Sequence, residues 1–266
     1  MKIDKLIIGS VAMKHWFPDF PRVPKDIDYI SPENHVNNKE VEYLWESEFQ
    51  WFLDNNKDST YIDPENLLLL KTAHLGWDIK WEKHISDVDF LKRKGYKVNN
   101  RKMYDTLVKA FTRKHGKRWA SLKNKDSTSF FEDAVSRKYI HDDIHEAVAI
   151  YDKPLYKSLV YEGVSCSEKG FDKLSYDDKL NLVKEEVWVT ALERYLIPED
   201  FKCSKIHAYQ KALKKLATTM SSGWFKYFIL TNIDVLRSDR DFTYIDKFKQ
   251  AEKENKLRYY ENGRPN

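Results

Sequence analysis

Leu6-Ile7-Ile8-Gly9-Ser10, followed across a proline-rich interval by Lys25-Asp26-Ile27-Asp28-Tyr29-Ile30, sets the plan of this chain. A short apolar run that ends in Gly-Ser predicts a strand turning into a helix, and the second run predicts another strand. Side chains two apart on a strand share a face. Asp26 and Asp28 therefore project together, and paired hard oxygen ligands suit Mg²⁺ carrying a nucleoside triphosphate. Between the two runs, Phe17-Pro18-Asp19-Phe20-Pro21-Arg22-Val23-Pro24 carries three prolines, which removes backbone donors and disfavours helix. This interval is expected to be an irregular loop.

Downstream of it, Val41-Glu42-Tyr43-Leu44-Trp45 and Phe49-Gln50-Trp51-Phe52-Leu53 fit either a strand followed by a helix or one helix, and periodicity does not choose between them. Tyr61-Ile62 reads as a short strand. Asp63-Pro64-Glu65-Asn66 opens a helix, with Asp as N-cap, Pro at the first position and an acid in the first turn; this helix runs to about Trp77, and another spans Glu82 to Lys94. Gly95 and Lys97-Val98-Asn99-Asn100 mark a boundary. Everything beyond it reads as helical: 102–115, 129–151, 154–162, 176–196, 205–220, 223–236 and 244–256. Ser175 ahead of Asp177-Asp178 starts the helix at 176–196, and Pro198 follows its end. The expected fold is α+β, with a small mixed sheet and helices over residues 1–95 and a larger all-helical domain over 96–266. The last residues, from Glu261, are expected to fray.

Composition narrows the setting. The 266 residues suffice for one large domain or two modest ones. With 46 basic against 42 acidic residues, the charge permits a nucleic-acid partner without announcing one. Two cysteines, Cys166 and Cys203, stand in no motif and argue against a disulfide scaffold. No apolar run approaches the roughly 20 residues of a membrane span, and the start lacks signal-peptide features. A cytoplasmic protein without membrane contact is expected. Oligomeric state is not encoded legibly.

Ile8-Gly9-Ser10 and Asp26-Ile27-Asp28-Tyr29, in this order, resemble the nucleotidyltransferase superfamily, whose pattern is an apolar strand, Gly-Gly or Gly-Ser, a helix, and an Asp-x-Asp strand. The proline loop makes the interval longer than usual. The resemblance extends into Ile62–Lys71 and Lys83–Leu91, which look like the corresponding helices of nucleotidyltransferases of the abortive-infection antitoxin and toxin type. It covers about a third of the chain. It implies that Asp26 and Asp28 bind Mg²⁺ or Mn²⁺, that Gly9, Ser10, Lys25 and Lys71 contact the NTP, and that Asp87 braces the helix bearing Lys71. It also implies a third carboxylate on a later strand, for which Glu42 is the first candidate and Glu48 the second. The acceptor of the nucleotide, whether protein, RNA or small molecule, is left open. The aromatic-rich, Lys-rich composition is similar to that of proteins from large tailed phages, which would place the chain in a host cytoplasm.

A second constellation lies at His141-Asp142 and His145-Glu146, where two imidazoles at i and i+4 share a helix face and can share a metal. With Asp152, Pro154 and Lys157, this run is similar to HD-type deoxyribonucleotide monophosphatases, and implies a metal-dependent phosphohydrolase whose other ligands are His74 or His84 and Glu185, Glu186 or Glu193. The plainer reading is a buried network in which His141 and His145 bond to Glu185 or Glu193. Lys109, Arg113, Lys114, His115, Lys117, Arg118 and Lys123, interleaved with Phe111 and Trp119, form a basic stretch suited to RNA or DNA phosphates, with an aromatic for stacking; a charged helix end explains the same residues. Lys205–Lys215 carries the same ambiguity.

Overall fold

In a computed structural model, which describes residues 4–57, 60–75, 81–115, 138–139, 141–150, 168–198, 201–219, 223–258, 260–261 and 264–265, the chain forms a mixed α+β structure in two compact units, Met1–Ser121 and Leu122–Asn266. The boundary expected at residue 95 is thus displaced. The helix at 101–115 belongs to the first unit because Leu107, Ala110 and Phe111 are buried there, with Phe111 against Phe49 and His74.

The first unit begins with β1 (Leu6–Ile8), α1 (Gly9–Trp16), β2 (Ile27–Ile30), β3 (Val41–Leu44) and α2 (Ser47–Asn55). It continues with α3 (Pro64–His74), α4 (Trp81–Arg93) and α5 (Arg101–His115). The ambiguous aromatic segment is therefore a strand followed by a helix. Strand order is β1-β2-β3, antiparallel between β1 and β2 and parallel between β2 and β3. Tyr61 adds a single parallel bridge to Ile7 on the outer edge of β1.

Register decides what each face of this sheet carries. Leu6, Ile30 and Leu44 are aligned across the strands, and so are Ile8, Asp28 and Glu42. Because paired residues share a face and alternate residues repeat it, one face has an apolar row and, beside it, a row that ends in two acids. Leu6, Ile8, Ile30 and Leu44 are buried, so the core stops where the carboxylates begin. The opposite face carries Tyr29 stacked on Tyr43.

The proline interval is anchored rather than loose. Phe20 is buried against Phe90, Lys14 donates to the carbonyls of Pro18 and Phe20, and Lys94 pairs with Asp19. Asp63 holds the N-cap position of α3, but its side chain accepts from the backbone N–H of Lys57 at 2.8 Å instead of capping the helix. Pro64 at the helix start leaves one donor fewer to cap.

The second unit contains α6 (His141–Val148), α7 (Glu168–Asp172) and α8 (Tyr176–Ala191), which runs into a π-helical turn at Leu192–Leu196. After these come α9 (Lys205–Thr219), α10 (Gly223–Thr231), α11 (Ile233–Arg237) and α12 (Thr243–Lys253). Ser175 caps α8 by accepting from the Asp178 N–H at 3.1 Å. The core is built around Trp188, Tyr209, Phe225 and Phe248, all essentially inaccessible. In place of a frayed end, Tyr260–Glu261 pairs antiparallel with Arg264–Pro265. Among the described residues no helix is long and apolar enough to cross a membrane.

Candidate functional site

The turn from β1 into α1 meets β2 at close range. Gly9 has φ +67°, and a Cβ built on it would lie 2.0 Å from Oδ2 of Asp28. Only glycine meets both demands, since the left-handed backbone and the carboxylate leave no room for a side chain. Ser10, one residue on, is buried in the first turn of α1.

Asp28 is half-buried at the end of the apolar face, and Asp26, just before β2, is near enough to repel its charge. Glu42 stands directly opposite Asp28 on β3. Burial raises the Asp28 pKa, repulsion from Asp26 and Glu42 raises it further, and Lys71 and Lys83 offset part of this; the result is about 6. A desolvated acid beside two others is a place where positive charge is wanted. Among the described residues, no three His, Cys, Asp or Glu side chains are gathered into a ready ligand set for a metal. The donors present are hard carboxylate oxygens, Asp28 on β2 and Glu42 on β3 with Asp26 just before β2, of the kind that suits Mg²⁺ together with water and phosphate oxygens.

The cations around this edge are held by acids. Lys71, buried on α3, pairs with Asp87 of α4 at 2.7 Å. Asp87 also accepts from Arg22 of the proline loop, Nη2 to Oδ2 at 2.5 Å and Nε to Oδ1 at 3.0 Å. Asp87 thus braces the Lys71 helix and ties the loop to it. Two cations on one carboxylate leave a net positive charge, and Lys71 acts on Asp28 through its field. On the last turn of α5, Arg113 pairs with Glu48, and Lys114 Nζ lies 3.2 Å from Glu42 Oε1. Lys25 is exposed just ahead of Asp26.

Of the residues singled out from sequence, Gly9, Asp28 and Glu42 meet at one end of the sheet, with Ser10 next to Gly9 and Asp26 just before β2. Glu48 lies on α2, outside the sheet. Arg22 and Lys114 carry no motif and were not singled out for this site. Arg22 is nevertheless the one cation in the proline loop, a signal that the loop has an anionic partner. Phe111 does not serve as an exposed stacking platform: it is buried in the first unit, and Arg113 and Lys114 are committed to acids. Residues 116–123 lie outside the described residues.

The second constellation takes a different form. His145 on α6 is buried, with Nε2 3.2 Å from Oε1 of Glu185 and 3.3 Å from Oε1 of Glu186 on α8. Glu185 also accepts from the Ile150 N–H at 2.8 Å. These contacts join two helices through their interior. The side chains of His141 and Asp142 lie outside the described residues, as do Asp152, Pro154, Lys157 and Cys166. His74 and His84 belong to the first unit, where their rings meet edge to face at 5.4 Å.

The model of one family, described as a domain of unknown function (DUF7275), matches residues 66–257. That span includes Lys71, Lys83, Asp87 and Lys114 and begins after the three strands. No curated protein and no solved structure matches the chain.

Proposed function

The chain belongs to the DUF7275 family, and we propose that it performs metal-dependent nucleotidyl transfer at the acidic edge of its small sheet. The observation that carries this reading is the meeting of Gly9, Asp28 and Glu42. A glycine turn without a side chain abuts a carboxylate of raised pKa, and that carboxylate is in register with another acid. Asp26, Asp28 and Glu42 would hold Mg²⁺ or Mn²⁺, which supplies charge neutralisation for a triphosphate and activation of an acceptor hydroxyl. The acceptor hydroxyl gives its proton to solvent as its oxygen bonds to the α-phosphorus, the bond from that phosphorus to the bridging oxygen breaks, and pyrophosphate leaves with the electron pair. Gly9 lets the Asp28 carboxylate approach the turn into α1, where Ser10 follows it, and exposed Lys25 would add positive charge. Lys71, fixed by Asp87, contributes positive potential to the same region. The acceptor is a hydroxyl of a protein, an RNA or a small molecule.

The test is incubation of the full chain with α-labelled NTPs and Mg²⁺ or Mn²⁺, reading label transfer and pyrophosphate release in wild type and Asp26→Ala/Asp28→Ala. Release that depends on both aspartates supports the reading. Release that survives their loss refutes it, and nucleotide bound without release makes the chain a binding protein.

A further inference from the structure

A cavity of about 380 Å³ lies in the first unit where α1 ends and α3 begins, lined by Trp16, Lys57, Asp63, Pro64, Glu65 and Tyr96. Its volume falls within the roughly 300–1,000 Å³ of small-molecule sites. Gly9 and Trp16 are the two ends of α1, so the cavity is about 10 Å from the turn that meets Asp28, and the transfer reading makes no use of it. Asp63 is 7% exposed, yet its carboxylate accepts from one neutral donor, the Lys57 N–H on Oδ2, and no ammonium or guanidinium pairs with it among the described residues. A buried carboxylate without a counter-charge is costly, and the N-terminus of α3 offsets only a fraction of one charge. Trp16 donates its indole N–H to the Ile62 carbonyl at 2.8 Å, so its offer to a ligand is the ring. Tyr96, in edge contact with Phe17, supplies a second ring. The side chain of Lys57 is 83% exposed and 4.0 Å from that of Glu65, itself 60% exposed, a solvated pair of little strength.

We propose that this cavity binds a primary alkylammonium group, carried by a free amine or by a lysine side chain. The ammonium donates to the Asp63 carboxylate, and its charge and alkyl stem lie against the rings of Trp16 and Tyr96, the surroundings in which an organic cation is held by ring faces. Asp63 is an acceptor, which selects a cation bearing N–H over a quaternary one. Because Oδ2 already accepts from the Lys57 N–H, the two-point pairing of a guanidinium is not matched, whereas a compact ammonium needs one open oxygen. Two acids against one solvated lysine set the sign of the ligand.

Calorimetric titration of the full chain with 1,5-diaminopentane and with Nα-acetyl-lysine methylamide tests this, with tetramethylammonium and inorganic phosphate as comparison ligands. Wild type is expected to bind at least one of the two amines saturably and more tightly than either comparison ligand. Asp63→Asn, which keeps an acceptor for the Lys57 N–H, is expected to weaken that binding about tenfold or more, the scale of a charge-assisted hydrogen bond. Trp16→Leu is expected to weaken it about threefold or more. Tyr96→Leu, at a half-buried position, repeats the Trp16→Leu result if that variant or Asp63→Asn melts early. Tighter binding of the diamine assigns the site to free amines, and tighter binding of the lysine amide assigns it to a lysine of a protein; each supports the proposal. Absence of saturable binding by both amines overturns it. Equal amine affinity in wild type, Asp63→Asn and the two ring variants also overturns it, as does phosphate or tetramethylammonium binding as tightly as the amines.

Discussion

Asp28 and Glu42 stand opposite each other on neighbouring parallel strands, so a half-buried acid has a second acid as its cross-strand neighbour. Like charges directly opposite are destabilising in a sheet, and here burial adds to the effect. Asp28 titrates at about 6 instead of 3.8. The folded chain therefore holds a proton that the unfolded chain releases at lower pH. Stability falls as pH rises through that window and stays reduced above it. Asp28→Asn is expected to stabilise the chain by about 1–3 kcal/mol at about pH 8, with the gain vanishing near about pH 4. Thermal melts at both pH values check this. Mn²⁺ is expected to raise the wild-type midpoint at the higher pH and to do so less in Asp28→Asn.

Gly9 couples backbone strain to that carboxylate. Gly9→Ala would place a methyl group 2.0 Å from the Asp28 carboxylate at a φ of +67°. The expected loss is about 1–3 kcal/mol. Adding Asp28→Gly removes the collision but not the backbone cost, so the double variant should recover only part of the loss. A double-mutant cycle by urea unfolding measures the coupling.

Asp87 is the counterpart of Asp28, an acid with two cations instead of two acids. Burial works to raise its pKa, but Lys71 and then Arg22 outweigh burial and hold it below 3.8. Its contribution is present above the ordinary aspartate range and is lost as pH falls through the lowered value. Asp87→Asn leaves buried Lys71 without its anion, at an expected cost of about 3–5 kcal/mol at neutral pH. The difference from wild type should close below about pH 4, as measured by denaturant midpoints. Release of Arg22 should also expose the proline loop to limited proteolysis.

In the second unit, His145 separates Glu185 and Glu186, which are 1% and 0% exposed. Truncation to Ala leaves two buried carboxylates side by side and is expected to cost about 3 kcal/mol or more. His145→Ala/Glu186→Gln should recover part of this, because one of the two buried acids is replaced by an amide. Neither variant is expected to alter Mn²⁺ uptake at the sheet edge. Unfolding midpoints and Mn²⁺ titration together check the assignment of His145 to structure.

Local rules made several elements legible. The apolar run with Gly9-Ser10, the Ile27–Ile30 strand and the start of α3 at Pro64 depend on steric and capping preferences within a few residues. The cap at Ser175 follows the same logic. The apolar neighbours of Glu42 ranked it ahead of Glu48, but its place on a strand was not legible, because the pattern of 41–53 suits a strand or a helix equally until β2 is present to pair with β3. The boundary near Gly95 misled for a similar reason. A polar turn does end α4, but the buried face of α5 belongs to the first unit.

The order and spacing of residues alone placed Gly9 at the turn out of the first strand and Asp28 on the second, and started the helices that follow, since those outcomes depend on backbone sterics and short-range hydrogen bonds. Tertiary structure alone set Glu42 against Asp28, Lys114 on Glu42, and both Arg22 and Lys71 on Asp87. These contacts join residues far apart in the chain, and strand register, burial and charge balance select them only after the elements have packed.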